Sequence, residues 1–298
     1  MADSLSKLKE WRVALNSPWL HDGQDAAAGG VPTLGFVPTM GALHDGHLEL
    51  VRRARASCDK VLVSIFVNPY QFAPTEDFSK YPRTFERDLA LLTEAGVDCV
   101  FYPSEAEMYP HGRDGIVSVL PPSPLNDTLE GAFRPTFFRG VATIVLKLFT
   151  LVQPHRAYFG EKDYQQLLVI EALCRDLNLP VEIVPVQTVR EADGLAMSSR
   201  NAYLDVEKRQ LAPVLHTSLL SVVEASLAGV ELADALQSAK KRLGDEARAA
   251  ELEVELQYLS VCHATTLEPL DRFVLPFVVL VAAKLGEVRL IDNVVVRG

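Results

Sequence analysis

The sequence predicts an α/β fold with a parallel sheet, joined to a smaller α+β part. Three observations lead there. Short apolar runs alternate with amphipathic helical patterns from residue 33 to residue 186, the order that makes parallel crossovers. One of these runs, Val61–Val67, is apolar at every position but Ser64, as suits a strand buried on both faces. After about Gln187 the alternation gives way to helical patterns, an alternating strand and a hairpin.

Each element can be justified in turn. Ser4–Leu15 places Leu5, Leu8, Trp11 and Leu15 on one side of a short helix. Asn16–Gly30 reads as loop. Thr33–Val37 is the first strand and Gly46–Ser57 the first helix of the sheet. Asn68-Pro69-Tyr70-Gln71-Phe72 turns at the carboxyl end of the second strand, Val61–Val67. Ligands of open parallel sheets sit beyond such ends, so Asn68 and Gln71 are expected to line a pocket. Thr84–Ala95 is a helix closed by Gly96, and Val97–Tyr102 a third strand. Residues 103 to 139 are rich in Pro and Gly and read as loops with a short strand near Ile116–Leu120. Val141–Val152 is a helix, Ala157–Phe159 a strand, Tyr164–Leu177 a helix and Val181–Val186 a strand. Asp205–Ala228 and Glu231–Ala249 read as helices. Leu252, Val254, Leu256 and Tyr258 alternate with polar residues as in a half-exposed strand. Val274–Ala283 and Val288–Ile291, joined at Leu285-Gly286, read as a hairpin.

Composition sets limits. The 298 residues suffice for one large domain or two ordinary ones, and 48% hydrophobic content supports a folded core. A net charge of −10 argues against a general nucleic-acid binder. Cys58, Cys99, Cys174 and Cys262 form no CxxC pair and read as reduced thiols of a cytoplasmic protein. Met1–Leu20 has no signal-peptide core, and Phe273–Ala283 is too short to span a bilayer, so no membrane role is expected.

The chemistry is expected around Pro38-Thr39-Met40-Gly41-Ala42-Leu43-His44-Asp45-Gly46-His47, between the first strand and its helix. Helix N-terminal amides lack intrahelical partners and favour an anion. Gly41 and Gly46 would let the backbone approach a ligand. His44 and His47, three apart, can point the same way and donate to phosphoryl oxygens as pyrophosphate leaves. Alternatively His44 is a loop residue and His47 an exposed one; zinc is disfavoured for want of a third ligand. Gly160-Glu161-Lys162-Asp163 offers a movable positive charge, although Asp163 and Gln166 also fit a capping box. Met197-Ser198-Ser199-Arg200 could clamp phosphate or be a solvated turn. Asp88 is either a magnesium ligand or an exposed helix carboxylate. In order along one chain, these segments look like an adenylyl-transferring site.

At this point the chain resembles the pantoate–β-alanine ligase family, nucleotidyltransferases with an HxGH motif. The segments are PTMGALHDGH at 38–47, SIFVNPYQF at 64–72, YPRT at 81–84, FFRGVATIVLKLF at 137–149, FGEKDYQQL at 159–167 and DGLAMSSRNAYL at 193–204. The resemblance implies a Rossmann-like nucleotidyltransferase domain at 1–188, a smaller C-terminal α+β lid domain at 189–298, and a homodimer. It implies that (R)-pantoate attacks ATP to give pantoyl adenylate and pyrophosphate, and that β-alanine then displaces AMP to give pantothenate, a step of coenzyme A biosynthesis. Magnesium is expected with ATP. Pro38, Met40, Gly41, Ala42, Leu43, His44, Asp45, Gly46 and His47 match the first ATP segment, with His47 the proton donor and His44 beside it. Gly160, Glu161, Lys162, Asp163, Val189, Met197, Ser198, Ser199 and Arg200 match the other ATP contacts. Of these, Lys162, Ser198, Ser199 and Arg200 would act on the phosphates. Gln71 and Gln166 match pantoate ligands, with Asn68 beside them, and Asp88 the carboxylate associated with the metal. Competing expectations are an enzyme of the same fold that keeps the nucleotide in its product, and a non-catalytic nucleotide-binding protein.

Overall fold

The computed structural model describes residues 1–16, 31–73, 76, 78–112 and 115–298; beyond Asn16, the expected loop up to Gly30 lies outside them. The first helix, α1 (Leu5–Leu15), starts where the Ser4 hydroxyl accepts from the Lys7 amide. Then come β1 (Leu34–Thr39), α2 (Asp45–Ser57), β2 (Lys60–Ile65), α3 (Phe85–Glu94) and β3 (Cys99–Phe101). After them lie the one-turn helices α4 (Glu105–Met108) and α5 (Glu130–Phe133), then α6 (Phe137–Val152), β4 (Arg156–Gly160), α7 (Tyr164–Asp176) and β5 (Glu182–Val186). Among the described residues these strands form a five-stranded sheet in the order β3-β2-β1-β4-β5, with every pair parallel. The chain leaves β1 toward β2 and later returns to β1's other side at β4. A crevice opens where the order reverses, beyond the strand ends.

Side-chain alternation splits the core. Phe36, Leu62 and Phe101 pack with Phe149 of α6 on one face, whereas Val37, Val61 and Val63 pack with Leu50 and Val51 of α2 on the other. Both faces being covered, the strands read as apolar runs.

Residues 103 to 139 differ from expectation. No strand forms near Ile116–Leu120. The Val119 amide instead donates to the Thr143 hydroxyl at 3.0 Å, and Val117 is 94% exposed. Helix α6 begins at Phe137, earlier than Val141, because Gly140 continues the helix rather than preceding it. A Cβ at Gly140 would lie 2.3 Å from the Tyr70 carbonyl oxygen, so α6 can rest on the Pro69–Gln71 turn only with glycine there.

The Asp205–Ala228 pattern is two helices, α8 (Val206–Leu211) and α9 (Val214–Leu227), separated at Ala212-Pro213. Proline supplies no amide to the preceding turn. Helix α10 (Leu232–Ala249) follows, and β6 (Val254–His263), β7 (Phe277–Leu285) and β8 (Val288–Val296) form an antiparallel sheet in that order. Central β7 is buried on both sides: Phe277, Val279 and Val281 face α9 and α10, while Val278 and Leu280 join the core of the first sheet. In β6 the register shifts between Leu256 and Tyr258. This bulge interrupts the simple alternation expected of the strand and turns Tyr258 toward α5.

Replacing Gly140 with Ala is expected to cost about 1–3 kcal/mol, as overpacking a fitted contact does. Denaturant unfolding measures it; a loss below about 0.5 kcal/mol would mean that the turn yields freely.

Candidate active site

The loop after β1 is built from the backbone outward. Thr39 donates its hydroxyl to the Ser64 carbonyl at 2.8 Å and accepts from the Gly41 amide at 3.2 Å. Gly41 and then Ala42 take left-handed conformations, φ 80° and 51°. Alanine is strained there. Asp88 holds the turn: its fully buried carboxylate accepts from the Ala42 amide at 2.8 Å, the Leu43 amide at 2.9 Å and the Thr84 hydroxyl at 3.1 Å.

That turn delivers His44 to the N-cap of α2. Its Nδ1 accepts from the Gly46 amide at 3.2 Å, and His47 Nδ1 accepts from the His44 amide at 3.4 Å. His44 caps the helix and also borders the cavity below. A Cβ at Gly46 would lie 2.9 Å from the His44 ring, so this glycine makes room for the imidazole. With Nδ1 of each ring accepting, the neutral tautomer carries its proton on Nε2.

The rings sit 4.1 Å apart between centroids. Each keeps some surface toward the cavity while protein crowds its other sides. Burial, then the charge of Lys162, pushes His44 down to about 4. Burial, then His44 and Lys162, pushes His47 down to about 3. Both imidazoles are therefore neutral donors at neutral pH.

The other strand ends close on the same space. After β2, Asn68 is buried; its Nδ2 donates to Gln71 Oε1 at 3.0 Å and to the Gly140 carbonyl at 3.2 Å. Its Oδ1 accepts from the Tyr109 hydroxyl at 2.8 Å. Asn68 thus stands behind Gln71 and fixes its amide, leaving the Gln71 NH2 for the cavity. After β4, Lys162 lies on a 3-10 turn whose carbonyls, with that of Glu161, accept from Asn293 Nδ2 of β8. Asp163 forms no side-chain cap for α7, so the expected capping box with Gln166 is absent; Lys162 Nζ lies 3.9 Å from Asp163 instead. Beyond β5, the Met197 amide donates to the Val189 carbonyl, and Arg190 grips Asp292 of β8 at 2.7 and 3.0 Å. Ser198 accepts from the Arg200 amide, the turn expected there. The segment docks rather than floating in solvent, because Ser199 Oγ is 3.2 Å from the Tyr81 hydroxyl and Tyr203 donates to the Lys80 carbonyl.

All these ends border one cavity of about 1310 Å³. It brings together Pro38, Met40, His44, Gly46, His47, Gln71, Gly160, Lys162, Asp163, Gln166, Val189 and Met197 to Arg200. Gly41, Ala42, Leu43, Asp45 and Glu161 do not line it, the first three being held by their amides in the turn, and Asn68 stands behind it. Nor does Asp88 line it. Its oxygens are already taken by the turn, which does not fit a metal ligand, and no cluster of three metal-binding side chains exists among the described residues. Sequence reading missed Glu130, Arg134, Tyr258 and Arg289, which form the opposite wall. The FFRGV segment adjoins two of them, but nothing in the pattern of β6 or β8 marks the others.

The chain matches the family model described as pantoate-beta-alanine ligase over residues 12–295. The chain belongs to that family. It is 55% identical over 260 residues to a pantothenate synthetase of Thermus thermophilus, covering 87% of this chain and 92% of that one. It is 48% identical over 286 residues to one from a Bradyrhizobium species, covering 96% and 98%. A crystal structure of pantothenate synthetase from Thermus thermophilus superposes with a TM-score of 0.87, 48% identity and full coverage of both chains. A Francisella tularensis pantoate-beta-alanine ligase, complexed with beta-gamma ATP and beta-alanine, has a TM-score of 0.76 and 32% identity, covering 99% and 96%. As a family member the chain is a ligase with the two-sheet architecture just described.

The depressed histidines set a pH dependence of stability. Their folded values lie below the unfolded one, so the unfolded chain takes up protons first; stability is complete above about pH 6.5 and falls as pH drops toward about 4. Denaturant midpoints measured between about pH 7 and about pH 5 should fall less in His44→Asn than in the parent chain. Equal slopes would show that His44 is not held neutral. Asp88→Asn should be destabilised in chelator with no nucleotide present, since an amide NH2 then faces a backbone N–H; unchanged melting would reopen the metal role.

Proposed function

We propose that the cavity condenses (R)-pantoate with β-alanine in two steps at the expense of ATP. The observation that carries this reading is the convergence of His44, His47, Lys162, Ser198, Ser199 and Arg200 with Gln71 and Gln166 around one space. Lys162, Arg200 and the α2 N-terminus supply fixed positive potential for a triphosphate. The two glutamines suit a hydroxy acid, because an amide can donate to one group and accept from another. Holding both substrates there aligns the pantoate carboxylate with the α-phosphorus. The carboxylate oxygen forms a bond to that phosphorus as the bond to pyrophosphate breaks, giving pantoyl adenylate. The β-alanine amine then forms a C–N bond to the acyl carbon as the C–O bond to AMP breaks, and the nitrogen gives up a proton to solvent.

The neutral imidazoles refine the role expected of His47. As a neutral imidazole it offers an Nε2–H hydrogen bond to the departing oxygen, and it gains a transferable proton only where phosphate charge raises its pKa. Magnesium is proposed solely as the companion of ATP, a part of the substrate, and no step depends on Asp88. We infer further that residues 1–188 and 189–298 are separate domains, with Met197–Arg200 part of a lid. The protein is read as a cytoplasmic homodimer without nucleic-acid or membrane partners. Among the described residues no helix is long and apolar enough to cross a membrane. Light scattering tests the dimer, and identical loop positions in nucleotide-free and ATP-bound crystals would refute the lid.

The reaction order is tested by exchange of labelled pyrophosphate into ATP. Exchange is expected with pantoate alone; its absence, with full activity once β-alanine is added, would refute a free-standing adenylate. His47→Ala and Lys162→Ala should each lower exchange on the order of 10²-fold or more, the size expected for a transition-state donor. Near-native exchange would remove that residue from the mechanism.

A further inference from the structure

The wall opposite the phosphate-binding residues contains a chain of charged groups that the proposed reaction does not use. Arg289 of β8 donates through both terminal nitrogens to the Glu130 carboxylate of α5, one contact being 2.7 Å, and through Nε to Gln257 Oε1 at 2.7 Å. Tyr258 donates its hydroxyl to the same carboxylate at 2.7 Å. Glu130 is buried. Four residues on, Arg134 donates to Glu76 at 2.6 and 2.8 Å and to the Gln71 carbonyl at 2.9 Å, with its guanidinium 3.8 Å from the centre of the Phe137 ring. The separation between Arg134 and Glu130 is 4.0 Å, too long for a hydrogen bond.

We propose that Arg289 is a positioning residue for the acid end of the cavity, acting through Glu130 and Arg134 on Gln71. The proposal rests on the reading of Gln71 as a pantoate ligand. Arg134 stands between two carboxylates, and which one it serves depends on whether Glu130 is neutralised from elsewhere. A buried carboxylate without a partner is strongly unfavourable. Arg289 together with Tyr258 satisfies Glu130, so Arg134 stays on Glu76 and on the Gln71 carbonyl. Without Arg289, Glu130 draws in Arg134, whose guanidinium is already within 4.0 Å. The Gln71 carbonyl then loses its donor and the Pro69–Gln71 turn loosens. A strand of the second sheet thereby sets the acid-binding edge of the first, while the phosphate-binding residues, on other strand ends, are left alone.

The test compares KM for pantoate and for ATP in Arg289→Met, in Glu130→Gln/Arg289→Met and in the control Gln71→Ala. Arg289→Met is expected to raise the pantoate KM about tenfold, the effect of misplacing about one hydrogen-bonding ligand, with the ATP KM changed less than about twofold. The double variant has no buried charge to capture Arg134, so most of the pantoate KM is expected to return. Arg289→Lys, which keeps the charge but not the two-pronged contact, should fall between and serves if Arg289→Met does not fold. A pantoate KM that stays put, that moves in step with the ATP KM, or that the double variant fails to restore would overturn the relay while Gln71→Ala remains impaired. A Gln71→Ala enzyme with normal pantoate KM would overturn the underlying reading and the relay with it.

Discussion

The site depends on a buried carboxylate that holds a strained turn. Gly41 and Ala42 reverse the chain in left-handed conformations directly after β1, and only then do His44 and His47 stand at the mouth of α2. Asp88 binds the Ala42 and Leu43 amides from a different helix, so the turn is fixed by α3 as well as by the Thr39 hydroxyl at its start. A buried anion against backbone donors is a strong, directional contact, and the strain at Ala42 persists because neighbouring structure over-determines it. Once this turn is set, the remaining groups need only be brought to the same edge of the sheet.

The parallel sheet brings them there. Strands running in one direction place every following turn on one edge, and the reversal of order between β1 and β4 leaves room between those turns. The His44 and Lys162 segments follow those neighbouring strands, and Gln71 follows β2. Protein contacts then orient each one: Asn68 behind Gln71, Asn293 under the Lys162 turn, Tyr81 against Ser199. Charge is divided among the groups in the same way. Burial, helped by the charge of Lys162, lowers the proton affinity of both imidazoles, so the site carries its positive potential on lysine and arginine and keeps the histidines as neutral donors.

Much of this was legible in the chain. The apolar runs, the glycines and the HxGH spacing located the sheet and the edge that borders the cavity, since side-chain period and turn chemistry are local properties. The errors were also physical. Asp163 had the composition of a cap, but its turn is tied to β8 and forms no cap for α7. Ile116–Leu120 had the composition of a strand but no partner to pair with, and Thr143 satisfied its Val119 amide instead. Asp88 looked like an exposed helix carboxylate, yet it is buried, because two of its partners are amides 45 and 46 residues away in the chain.

By itself the sequence determined the order of strands and main helices in the parallel sheet, the position of the Gly-containing turn after the first strand and the chemical inventory at the carboxyl edge. Each follows from residues within a few positions of one another. Only the tertiary structure decided which of those residues face the cavity, which stand behind it, and that Glu130 of α5 joins Tyr258 and Arg289 of the second sheet. The last of these depends on contacts between segments more than a hundred residues apart, where no local pattern records the pairing of one buried charge with another.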